Sequence, residues 1–181
     1  VITPTVVSRS GLLDECKASV AAQTVPVCEH LVETDVNGSG PSVLRNRMVG
    51  RAKGDWVLPV DDDDTLDPDY VETIAPYLTA DVDVVYSWCR VEGLPDWTPN
   101  RLFNDALLLR GNFIPVTACV RKSLVEELGG WPEPPERLQP GEDWELWKLC
   151  LGAAAVFKLV PEVLWSYRVQ PGSRNRHLAA A

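Results

Sequence analysis

Residues 61–64 of this chain are four consecutive aspartates, and they follow directly on the apolar run Trp56, Val57, Leu58, Pro59 and Val60. Carboxylates packed this closely repel one another, so a fold that keeps them ionised together must supply a cation or strong hydrogen-bond donors. The preceding run reads as a buried strand, and the carboxyl end of a strand in an open α/β sheet is where loops surround a ligand crevice. Position and chemistry therefore point to a divalent-cation site at the lip of a sheet. A solvated acidic turn is the plain alternative, and the wholly apolar strand before it weighs against that.

The rest of the chain can build such a sheet. Its 181 residues are 45% hydrophobic, enough for one compact domain with a proper core. The first half alternates β-like runs with helix-period segments, as βαβ units feeding a parallel sheet do. Strands are expected at 1–5, 30–34, 56–60 and 82–86, and helices at 12–23 and 42–52, with Ser10 and Ser42 as capping residues. Pro68 suits the first turn of a helix reaching towards Leu78. Beyond it the sequence predicts a polar loop over 89–101, a short helix at 105–109, a strand at 114–120 and a helix at 122–128 stopped by Gly129 and Gly130. A proline-rich loop at 132–140, a helix at 142–151, strands at 154–159 and 163–169 and a polar tail at 173–181 complete the order.

Charge narrows the partners. A net charge of −9 without a dense basic stripe argues against nucleic acid. No run approaches the roughly 20 apolar residues of a transmembrane segment, and the N-terminus lacks the layout of a signal peptide, so a cytoplasmic protein is expected. Cys16, Cys28, Cys89, Cys119 and Cys150 are odd in number and widely spaced, which fits reduced thiols and neither disulfides nor zinc.

Two other readings of the acidic run are open at this point. Asp61, Asp63, Thr65, Asp67, Asp69 and Glu72 fall at the ligand spacing of a calcium-binding EF-hand loop, although Leu66 stands where that loop needs glycine. Asp61, Asp63 and Thr65 after an apolar strand also resemble the first motif of haloacid-dehalogenase-type phosphatases, in which Asp61 would be the nucleophile. There the motif follows the first strand, whereas here two βα units come before it.

A wider set of residues resembles glycosyltransferase family 2, the inverting enzymes of the GT-A fold. Pro4, Thr5, Leu12, Leu13, Cys16, Ser19, Val20, Gln23 and Thr24 are similar to its opening strand and helix. Arg45, Asn46, Ala52, Gly54 and the strand into Asp61–Asp64 are similar to its central block. Gly129, Gly130 and Trp131, then Glu142 and Asp143, then Tyr167, Arg168, Pro171 and Gly172 follow in the family's order.

The resemblance implies an α/β, GT-A-like open sheet, mostly parallel and flanked by helices, in one domain over 1–172. Residues 1–88 would hold a nucleotide-sugar donor, UDP-linked by preference, and 89–172 a hydroxyl acceptor. Pro4, Thr5 and Asp35 would lie around the base, with Arg45 and Asn46 also on the donor. Asp61 would touch the ribose, Asp62 would support it, and Asp63 would ligate Mn²⁺ or Mg²⁺, hard ions that prefer oxygen. Asp64 is expected only to begin the next turn. Asp143 would be the general base; Trp131, Glu142 and Trp144 would line the acceptor site, Trp144 foremost of the tryptophans. Gln170 stands where the family often has a metal-contacting histidine, which leaves that contact open; His177 could replace it, but an ordinary terminal histidine in a polar tail is the favoured reading.

Overall fold

The computed structural model describes residues 1–92, 102–133 and 141–169. β1 (Ile2–Val6) and β2 (Leu31–Asp35) pair in parallel, joined by α1 (Ser10–Ala21). α2 (Pro41–Val49) leads to the expected third strand, of which only Trp56–Val57, β3, lies in a ladder. The reason is that residues 56–60 serve two partners. Trp56 and Val57 pair with β6 (Ala118–Arg121), after which the chain crosses to β1 through a parallel bridge between Ile2 and Pro59. Hydrogen bonds from Ile2 N to Leu58 O and from Val60 N to Ile2 O, each 3.0 Å, hold that crossing.

The second ladder system runs β3, β6, β5 (Val84–Glu92), β7 (Phe157–Arg168), β4 (Thr65–Leu66). β6 and β4 run against their neighbours, while β5 and β7 are parallel over nine residue pairs, so five of the seven strands among the described residues point the same way. The sheet is mixed, with the parallel ladders the long ones, as the mostly parallel expectation has it. α3 (Tyr70–Ile74), α4 (Asp105–Arg110), α5 (Lys122–Glu127) and α6 (Glu142–Gly152) fill the connections.

Both faces of this sheet are buried. Strand side chains alternate with period two; Val84 and Tyr86 of β5 and Ala118 and Val120 of β6 enter one core with α2 and α6, while Val85, Cys89, Val91 and Cys119 enter the other with Cys16 and Val20 of α1. Cys16, Cys89, Cys119 and Cys150 are buried and all five cysteines are free, as the sequence predicts.

Several local expectations are corrected. Ser10 opens α1 without a capping bond, after a 3₁₀ turn at Val7–Arg9. Ser42 lies inside α2 and donates instead to Pro132 O at 2.8 Å. The helix after Pro68 is only Tyr70–Ile74, followed by a 3₁₀ turn, and β5 continues to Glu92 through residues read as loop. The two C-terminal strands are one: Pro161 and Glu162 fall in a register shift of β7 against β5, a place where proline's missing N–H costs nothing. The loop assigned to 134–140, the remainder of that at 93–101, Gln170, Pro171, Gly172, His177 and the tail lie outside the described residues.

Candidate active site

Because β1, β2, β3, β5 and β7 run the same way, their C-terminal ends share one edge, and Pro4, Thr5, Asp35, the acidic turn and Arg168 all arrive there. In the turn the four aspartates separate into two groups. Asp61, Asp63 and Asp64 each offer a carboxylate oxygen within 4.8 Å of the others, whereas Asp62 turns inward. Asp62 is buried and accepts from Thr5 Oγ1 at 2.6 Å and Arg9 Nη1 at 2.8 Å. Thr5 thus spends its hydroxyl on locking the turn to β1.

The three clustered carboxylates are short of positive charge. Burial, then the neighbouring Asp61, pushes Asp63 up to about 6, against the pull of Arg9, whose Nη1 lies 3.3 Å from it. Asp64 is only 1% exposed and is raised well above the ordinary carboxylate range by burial and by Asp61. Its Oδ1 accepts from the backbone N–H of Arg168 at 3.0 Å, and its Oδ2 is buried without a partner among the described residues. Hard oxygen donors at mutual ligand distance, one of them orphaned, fit a divalent cation such as Mn²⁺ or Mg²⁺. Asp64 therefore has a larger part than beginning a turn.

Arg45 links this turn to the far side of the site. It projects from α2, is 1% exposed, and donates to Asp61 Oδ1 at 2.6 Å and to Glu142 Oε1 at 2.8 Å. A guanidinium's two ends match two carboxylates on different elements, which a lysine's point charge would not. Glu142 and Asp143 open α6, where the helix dipole favours carboxylates. Asp143 is raised to about 6, by burial first and Glu142 second, with Arg45 opposing. Its Oδ2 accepts from Asn112 Nδ2 at 2.9 Å.

Other predicted site residues have different employment. Asp35 folds its own loop: its oxygens accept from the N–H groups of Asn37 (3.2 Å), Ser39 (2.9 Å) and Gly40 (2.8 Å). These bonds, Gly40's foremost, hold its carboxyl below the usual range. Pro4 is buried in β1. Asn46 clamps the backbone of Trp131, donating to its carbonyl at 3.0 Å and accepting from its N–H at 2.7 Å. Trp131 is a correction: its ring is 1% exposed in the core and presents no wall to an acceptor. Trp144 is half-buried, with its indole N–H on Leu108 O at 2.6 Å and Lys148 over its ring.

The residues that sequence reasoning passed over are Arg9, Asn112 and the backbone of Arg168. Arg9 carried one signal, a lone cation just after the first strand. Asn112 carried none, because only the fold brings it to α6. The EF-hand spacing dissolves: Thr65 pairs in β4, Asp67 is bound by both Nη atoms of Arg90 at 2.6 and 2.7 Å, and Glu72 accepts from Thr24.

The sequence profile described as glycosyl transferase family 2 matches residues 29–129, more than half of the chain and across the acidic turn. The chain belongs to glycosyl transferase family 2. This family 2 chain is 24% identical over 192 residues to the succinoglycan biosynthesis protein ExoO of Rhizobium meliloti (strain 1021), a match covering 92% of the chain and 54% of that protein. Its fold is similar to that of S. aureus TarS 1–349 in complex with UDP-GlcNAc, with a TM-score of 0.73 at 18% identity over 99% of this chain and 61% of that one. It is also similar to the mannosyltransferase PcManGT from Pyrobaculum calidifontis in complex with GDP-Man and Mn²⁺, with a TM-score of 0.67 at 14% identity, covering 98% and 59%. The family 2 chain thus has the expected GT-A fold, and it spans about half the length of the curated relative. With family membership and with two βα units ahead of the acidic strand, the phosphatase reading is set aside. No helix among the described residues is long and apolar enough to cross a membrane.

Proposed function

We propose that the chain transfers a sugar from a nucleotide-sugar donor to a hydroxyl acceptor by single displacement with inversion. The observation that carries this is the row of charges Asp63, Asp61, Arg45, Glu142, which runs from a cluster of carboxylates at mutual ligand distance to a helix start bearing Asp143. Residues 1–88 are assigned to the donor and 89–172 to the acceptor. Asp61, held by Arg45, would meet the ribose, and Pro4 and Asp35 the base. Asp35 Oδ2 accepts from the Gly40 N–H, and a carboxylate oxygen can accept a second bond, here from a uracil ring N–H, which favours a UDP-sugar. Support for the donor class comes from the neighbours, TarS with UDP-GlcNAc and PcManGT with GDP-Man and Mn²⁺.

Asp61, Asp63 and Asp64 would hold Mn²⁺ or Mg²⁺. When bound, such an ion supplies positive charge for the diphosphate that departs. The chain's own part is acid–base chemistry: as the acceptor oxygen bonds to the anomeric carbon and the bond to the diphosphate breaks, the acceptor's proton passes to Asp143. A positioned base of this kind contributes roughly 10²–10⁴-fold in rate. A carboxyl raised to about 6 suits that task at neutral pH, being mostly ionised yet more basic than an ordinary aspartate.

The test is UDP release from a panel of UDP-sugars, with and without Mn²⁺, for the wild type, Asp143→Asn and Asp63→Asn. Both variants should lose at least 100-fold in turnover, with the Asp143→Asn protein still gaining thermal stability from donor and metal. Wild-type turnover by Asp143→Asn would remove the base assignment; no response to any nucleotide sugar would remove the function.

A further inference from the structure

α6 grips one short segment three times, and the middle grip falls on Asp143. Trp144 donates its indole N–H to Leu108 O at 2.6 Å, and Trp147, fully buried, donates its own to Ile114 O at 3.1 Å. These bonds fasten both ends of residues 108–114 to the helix. Between them Asn112 donates Nδ2 to Asp143 Oδ2 at 2.9 Å while its Oδ1 accepts from the N–H of Ile114 at 3.1 Å. The second bond decides the amide's orientation: with the oxygen committed to a backbone donor, the NH₂ must face the carboxylate. Asn112 is itself exposed, so a bond to Asp143 alone would compete with water. Its persistence comes from the anchored loop, for Ile114 is wholly buried.

We propose that Asn112 is a positioning residue for Asp143, its amide holding one carboxylate oxygen so that the other is presented to the acceptor hydroxyl. This rests on the assignment of Asp143 as base. Mechanically, a carboxylate that accepts a fixed hydrogen bond at Oδ2 loses rotation about its terminal torsion, which is otherwise broad. Chemically, donation to the ionised form favours it. It acts with Arg45 and the N–H of Trp144 against burial and against Glu142. Asn112 thereby favours the ionised carboxylate while lowering its basicity less than a full ion pair would.

The experiment uses the 181-residue chain labelled with ¹³C at the aspartate carboxyls, with Asp143 identified by the signal missing in Asp143→Asn. Asn112→Ala should move the Asp143 titration up by about one pH unit, the worth of one charge-assisted hydrogen bond. Asn112→Asp keeps an acceptor for the Ile114 N–H, so it guards against a folding defect, and it should move the titration further because it adds a like charge. In UDP release from the UDP-sugar that responds best, both variants should lower kcat about tenfold with the donor KM within about twofold, a split that loop damage would not give. An Asp143 titration and a kcat unchanged in both variants would overturn the proposal while Asp143→Asn remained inactive. Full activity in Asp143→Asn would instead overturn the base assignment beneath it.

Discussion

Asp63 is a residue kept in a state the fold alone does not favour. With its carboxyl raised to about 6, its ionised form costs stability at pH 7 in the metal-free protein. The sign follows from linkage: a carboxyl whose folded value lies above its unfolded one adds stability below the unfolded value, and that contribution is lost as pH rises through the folded one. Asp63→Asn should therefore raise metal-free stability at pH 7 by about 1 kcal/mol, and the gain should shrink towards pH 5, where wild-type Asp63 takes up its proton. The same variant should abolish the rise in Tm on adding Mn²⁺. Melting curves with and without Mn²⁺ check both, and a destabilised metal-free variant would contradict the electrostatic account. Arg45 has the opposite character. Removing it takes the shared guanidinium from Asp61 and a buried Glu142, and Arg45→Met should cost about 3–5 kcal/mol in urea denaturation, with part recovered in the Arg45→Met/Glu142→Gln double variant. Equal stability of single and double variants would mean that the pairing contributes nothing. From sequence, Arg45 reads as a donor contact; only its burial shows that its charge is already spent within the protein.

Among elements, the stop after α5 shows how a motif can be legible while its purpose is not. Gly129 and Gly130 read correctly as a helix stop, and both adopt left-handed backbone, with φ of +83° and +92°. They differ in surroundings. A Cβ on Gly129 would meet open space, whereas one on Gly130 would collide with the Asn46 amide that clamps Trp131. Gly129→Ala should cost about 1 kcal/mol, the backbone penalty alone, and Gly130→Ala about 2–3 kcal/mol. Adding Asn46→Ala to Gly130→Ala should remove the steric part and little of the backbone part. Equal costs at the two glycines would leave the clamp without a structural role. Other boundaries were unreadable for definite reasons. Local pattern marks residues 56–60 as extended but cannot reveal that they divide between β6 and β1, and Pro161 looks like a strand break until β5 is placed beside it to absorb a bulge. Trp131 fails differently: an aromatic beside a glycine pair fits an acceptor wall or a core equally well, and burial is a tertiary property.

For the whole molecule, strand direction decides where function can lie. The alternation of apolar runs and helix-period segments was enough to anticipate parallel strands, and parallel strands gather Pro4, Thr5, Asp35 and the acidic turn at one edge without any residue having to specify the meeting. What pattern could not supply was the second bank of the site, because α6 and the segment 108–114 reach it through contacts 31 to 97 positions apart in the chain. A cavity of about 490 Å³ lies elsewhere, lined by Lys53, Trp56, Leu78, Arg121 and Lys122. Volume alone would compete for attention, yet two of its cations are occupied: Arg121 binds Asp83 and the carbonyls of Thr79 and Val82, and Lys122 binds Ala52 O. Amide hydrogen exchange separates the two locations. With a responding UDP-sugar and Mn²⁺, slower exchange should appear in residues 3–9, 33–45 and 61–66 and at the start of α6, where Arg45 couples the donor side to Glu142. Exchange in 53–56 and 121–126 should not change. If Arg45→Met confines the protection to 3–9 and 61–66, the guanidinium is the link between the two banks; if protection centres on the cavity around Lys53 and Arg121, the acidic edge is not where the donor binds.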